Sequence, residues 1–76
     1  MIAREIERCL DIGRDALVLL SELLVSGKKS RAELYRRARA EADALTCLLD
    51  EAPEAKAADI HYLLDRYDSF LARLVN

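Results

Sequence analysis

Tryptophan is absent from this chain, and phenylalanine, proline and histidine each occur once in 76 residues. Only two glycines are present. So little turn-forming material excludes the many-turned sandwiches and barrels of all-β proteins. Isoleucine, valine and threonine supply eight residues between them, too few for a chain built mainly from strands. Cysteine is sparse as well: Cys9 and Cys47 stand 38 positions apart, with no CxxC pair. That favours neither a disulfide framework nor a metal site, although one disulfide between the two is geometrically open, and it fits a reducing cytoplasm. No apolar stretch approaches the roughly 20 residues that cross a bilayer. Arg4, Glu5, Glu7 and Arg8 interrupt the opening segment, so neither a signal peptide nor a membrane anchor is expected. Neither sign of charge dominates: 12 basic residues stand against 14 acidic ones, a net charge of -2. That removes any global bias toward nucleic acid or acidic membranes.

What remains is helix-forming. Leucine and alanine supply 26 residues, and another 26 are charged. The segment Ala16-Leu17-Val18-Leu19-Leu20-Ser21-Glu22-Leu23-Leu24-Val25 has eight apolar residues in ten. It is too short to span a bilayer and too apolar to lie on water with one face covered. Burial on more than one side is therefore expected, by the chain itself, by a second copy or by a partner. A chain of this length makes one domain at most and buries only about 60% of the surface its unfolded form exposes. With disulfides and metals set aside, oligomerisation is the expected aid.

Three helices follow from the punctuation. In the first, Ile2, Ile6, Cys9, Gly13, Ala16, Leu20 and Leu23 repeat at spacings of four and three, a packing seam. Leu10, Leu17 and Leu24 widen the seam on one flank, Ile12 and Leu19 on the other. Gly13 reads as a small residue where a neighbouring helix comes close. Gly27, followed by Lys28 and Lys29, is a stop signal. Ser30-Arg31-Ala32-Glu33 is a capping box that opens the second helix, whose inner face is Leu34, Ala38, Ala42, Leu45, Leu48 and Leu49. Ala52-Pro53 marks the second turn, with Pro53 at the first position of the third helix. Ile60, Leu63, Leu64, Tyr67, Phe70, Leu71, Leu74 and Val75 form the third apolar face. The expected fold is all-α: an up-down-up three-helix bundle with helices near 2–26, 31–51 and 53–74, in an oligomer. A kinked helical hairpin is the alternative.

Several residues fall outside these faces. Val18 and Val25 project from the opposite side of the first helix, seven residues apart, near Ser21. Two apolar residues on one outer line point to a second contact surface. Ala40 and Ala44, with Cys47, make a line of small residues on the outer face of the second helix. Tyr62 points away from the inner face of the third, with Arg66 one turn on, a pairing enriched at interfaces. Val18, Ser21, Val25, Ala40, Ala44, Tyr62 and Arg66 are the candidate partner-binding residues.

Catalytic signals are thin. The chain has no glycine-rich phosphate loop, HExxH or nucleophile elbow. His61 and Asp65 share a helix face, but a metal site would need further ligands, Asp68 or a second chain. Lys28, Lys29, Arg31, Arg36, Arg37 and Arg39 place six cations in twelve residues, the one local charge that suits nucleic acid. They spread around the second helix instead of forming one stripe.

The leading expectation is a non-enzymatic, cytoplasmic interaction module, an adaptor or small chaperone-like protein, with no cofactor and no resident metal. It self-associates, as a dimer first, or binds a partner helix. The alternative is a small nucleic-acid-associated regulator using the 28–39 stretch. A third reading is a metal or enzyme site at an oligomer interface.

Overall fold

The structure, a computed structural model, describes residues 2–76. Among these the chain forms three helices and no strand: α1 (Ala3–Ser26), α2 (Arg31–Glu51) and α3 (Glu54–Val75). All three contribute to one hydrophobic core, and the arrangement fits a three-helix bundle measuring 38 × 19 × 15 Å.

The helix ends follow local chemistry. Gly27 closes α1 in the left-handed conformation (φ 71°), and its N–H donates to the Leu23 carbonyl at 3.2 Å. Any other residue there would bring its Cβ against the following carbonyl. Ser30 caps α2, its hydroxyl accepting from the Glu33 N–H at 3.1 Å. The Glu33 carboxylate pairs with Lys29 at 3.4 Å. At the second turn Ala52 and Pro53 are both extended, with ψ of 144° and 154°. The proline ring drives the preceding residue out of the helical region, so α2 ends and the kinked hairpin does not form. Pro53 is therefore the N-cap of α3, one position before the first helical turn where the sequence placed it. Ile2 likewise caps α1 instead of opening it.

The core comprises Ile6, Leu10, Leu17 and Leu20 from α1, Leu34, Ala38, Ala42, Leu45 and Leu48 from α2, and Ile60, Leu63, Tyr67, Phe70, Leu71 and Leu74 from α3. The α2 and α3 faces match the sequence pattern, apart from Leu49 and Leu64, which are half-buried, and Val75, which is exposed at the end of α3. α1 differs. Its buried line is Ile6, Leu10, Gly13, Leu17, Leu20, while Cys9, Ala16 and Leu23 are half-buried and Ile12 and Leu19 are exposed. At about 100° per residue this rolls the helix roughly 50° from the expected seam. α3 brings Leu63, Tyr67 and Phe70 to this core, and α2 brings Leu34, Leu45 and Leu48 with Ala38 and Ala42 between them.

Gly13 is where α1 and α3 approach. A Cβ on it would lie 2.9 Å from Leu63 Cδ2. The Tyr67 ring is fully buried, and its hydroxyl donates to the Gly13 carbonyl at 2.5 Å. Two polar contacts tie the ends of the bundle. Arg31, at the start of α2, donates to the carbonyls of Arg73 and Leu74 at 3.1 Å each. Glu7, near the start of α1, forms an ion pair with Lys56, near the start of α3. That pairing lowers the Glu7 carboxyl below its ordinary value and raises the Lys56 ammonium above its own.

Replacing Tyr67 by Phe removes a buried hydrogen bond at constant ring volume, and the expected loss is about 1 kcal/mol in urea unfolding. Burial, and secondarily the charge of Glu41, raises the Tyr67 phenol from 10.0 to about 12. The folded chain therefore holds this proton longer than the unfolded one. Its contribution to stability is complete below pH 10 and is lost as the pH rises toward 12. The gap between wild type and Tyr67→Phe should narrow over that range, and a constant gap would contradict the assignment.

Candidate partner-binding groove

Rolling α1 toward α3 has a consequence on the surface. The apolar arc of α1 is wider than the core can cover, and its edge lies against α3. Val18 and Val25 stand there 58% and 83% exposed, with Tyr62 of α3 at 67%. The space between the two helices is a groove of about 670 Å³. Leu17, Val18, Val25 and Leu63 give it an apolar floor and wall. Ser21, Ser26 and Tyr62 supply hydroxyls, and Arg14, Glu22 and Arg66 supply charge at the rim. Arg14 also pairs with Asp11 at 2.9 Å, on the exposed face of α1.

The groove continues past Tyr62 and Arg66 into a more polar stretch of about 390 Å³. Asp65, Ser69 and Arg73 line this extension, with the edge of Phe70. An apolar trough with hydroxyls and charges along its edges is the shape that receives an amphipathic helix. In grooves of that kind burial of apolar surface supplies affinity and a charged rim sets direction.

Five of the seven partner-binding candidates meet here: Val18, Ser21, Val25, Tyr62 and Arg66 all line the one groove. The sequence offered them as two unrelated outer lines on different helices. Ala40 and Ala44 do not join them. Both are exposed, and they border smaller hollows between α1 and α2, Ala40 beside Leu19 and Ala44 beside Ile12 and Cys47. The candidate surface thus divides in two, with the larger part on the α3 side. Arg14, Leu17, Glu22, Ser26 and Leu63 also line the groove and were not singled out as site residues. Glu22 carried a signal: it is the only charged residue of the apolar 16–25 run.

The basic stretch does not gather into one surface. Arg31 is engaged with the last carbonyls of α3, Lys29 with Glu33, and Arg39 with Asp43 at 3.5 Å. Lys28, Arg36 and Arg37 are exposed. On the helix wheel Arg36, Arg37 and Arg39 span most of the outer half of α2. His61 is exposed, and among the described residues no group of three His, Cys, Asp or Glu side chains is placed to hold a metal ion. Cys9 and Cys47 are free thiols. Among the described residues no helix is long and apolar enough to cross a membrane. Comparison with protein families, with curated proteins and with solved structures found no match for this chain.

The placement of Arg31 assigns it a structural role that Arg36 lacks. Arg31→Ala should destabilise the protein by about 1 kcal/mol, since a charged donor leaves two helix-end carbonyls. Amide exchange in the last turn of α3 should accelerate with it. Arg36→Ala should stay within about 0.5 kcal/mol of wild type. Equal behaviour of the two variants would refute the distinction.

Proposed function

We propose that the protein is a non-enzymatic interaction module whose α1/α3 groove accepts a helix, from a second copy or from a partner protein. The observation that carries this reading is the meeting of Val18, Val25, Tyr62 and Arg66 in one groove, with both valines facing water. Covering each valine is worth about 1–2 kcal/mol by area removed from water. On this reading the protein acts as an adaptor or small chaperone-like protein, through the groove.

An up-down-up course of the helices belongs to the same reading. The Arg31 contact with the end of α3 and the Glu7–Lys56 pair between two helix starts support it. So does a reducing, cytoplasmic setting, supported by two thiols that are free.

Two measurements test the groove. Light scattering across a wide concentration range should give a mass above the 8.6 kDa of one chain. Val18→Lys and Val25→Lys should shift that association by tenfold or more while circular dichroism stays unchanged. In parallel, titration with a leucine–lysine amphipathic peptide should move the amide resonances of Val18, Val25 and Tyr62 before others. The reading fails if the variants match wild type in mass and the peptide leaves those resonances unmoved.

A further inference from the structure

The groove's own wall describes its occupant. Arg14, Val18 and Glu22 lie at i, i+4 and i+8 on α1, one row along the helix, and all three line the groove. The row reads positive, apolar, negative, at steps of about 6 Å. Turned end for end, it is its own complement. We infer that the occupant of the α1/α3 groove is α1 of a second copy, reversed about Val18, so that Arg14 of each chain faces Glu22 of the other. This rests on the reading of the groove as a docking site and names what docks.

Four observations favour a copy over a foreign helix. A two-fold dimer requires residue i to meet j while j meets i, and the Arg14–Glu22 spacing about Val18 meets that condition. A parallel copy would set Arg14 beside Arg14 and Glu22 beside Glu22, which repels. Two exposed apolar residues of α1, Val18 and Val25, lie on the groove side of the helix. The wall of the groove is thus also a surface that a second copy can insert. Finally, a net charge of -2 gives little long-range repulsion between copies.

The geometry is an ordinary one. Rows at i±4 run side by side when helices cross at about 50°, the commonest packing class. Such a crossing at Val18 carries the second α1 over Tyr62 and Arg66 on the opposite wall. A stable pair of this kind buries about 800 Å² per partner, roughly a sixth of the 5116 Å² this chain exposes. The existing Asp11–Arg14 pair does not compete strongly. Both side chains are largely exposed, and a guanidinium has donors for two carboxylates.

Charge reversal reads the register directly. Arg14→Glu leaves two acids facing two acids, and Glu22→Arg leaves two bases facing two bases. By sedimentation equilibrium each variant alone should dimerise at least tenfold more weakly than wild type. An equimolar mixture of the two should form a heterodimer near wild-type strength, and the double variant Arg14→Glu/Glu22→Arg should recover the homodimer. The double variant carries both substitutions, so its recovery also rules out misfolding as the cause of the single losses. The inference is overturned if the single variants dimerise like wild type, or if mixing them restores nothing. It is also overturned if wild type stays monomeric to millimolar concentration. Sensitivity to Val18→Lys without sensitivity to charge reversal would locate the failure in the register and leave the groove itself standing.

Discussion

The phenol of Tyr67 ends against the carbonyl of Gly13, inside the core and away from water. That hydrogen bond joins α1 to α3 at the level where the two helices approach, and both partners are suited to it. Gly13 has no side chain to hold Leu63 off. Tyr67 is the one fully buried residue with a polar tip, so leaving that hydroxyl unpaired would cost more than the bond itself contributes. Once α1 is drawn to α3 at this level, its leucines seat among Leu63, Tyr67 and Phe70. The roll of α1 follows, and with it the set of residues left on the surface.

That surface is a product of unequal neighbours. α2 brings Leu34, Leu45 and Leu48 to the core with two alanines between them, and α3 brings aliphatic residues, a tyrosine and a phenylalanine. The buried line of α1 lies nearer the α3 side than its periodicity indicates. Ile12 and Leu19 are uncovered on the α2 side, and Val18 and Val25 remain at the α3 edge. A helix with so broad an apolar arc cannot be covered by two neighbours. The excess shows as a groove on one side and smaller hollows on the other. This apolar excess is built into the composition of the 16–25 run.

The polar residues divide by the same logic. Arg31 is spent on the exposed carbonyls at the end of α3, Lys56 on Glu7, and Lys29 on the first turn of α2. These contacts hold helix ends that propensity alone would leave frayed. The charges at the groove lie elsewhere, on the outer turns of α1 and α3, where no core contact claims them. Arg14 and Glu22 bracket Val18 at equal spacing on either side. That is a property of the row, independent of how the rest of the bundle packs.

Helix number and position were legible in the sequence itself. Gly27, Ser30 and Pro53 act through their own backbone chemistry, so their effects do not wait on tertiary contacts. The inner faces of α2 and α3 were equally readable, because each has a narrow apolar stripe and one way to bury it. α1 was not, because its stripe is wide enough to allow several rotations of nearly equal burial. The fold adopts the one that buries Ile6, Leu10, Gly13, Leu17 and Leu20, with the Tyr67 hydroxyl on the Gly13 carbonyl. The exposure of Val18 and Val25 was visible from periodicity. Their meeting with Tyr62 and Arg66 was not, since those residues lie some forty positions away and only the packing of α1 on α3 brings them together. The reversible charge row from Arg14 to Glu22, and its place outside the core, were present in the sequence throughout, but its place in a groove beside Tyr62 and Arg66 was decided by the tertiary structure, because only packing brings α3 against that side of α1.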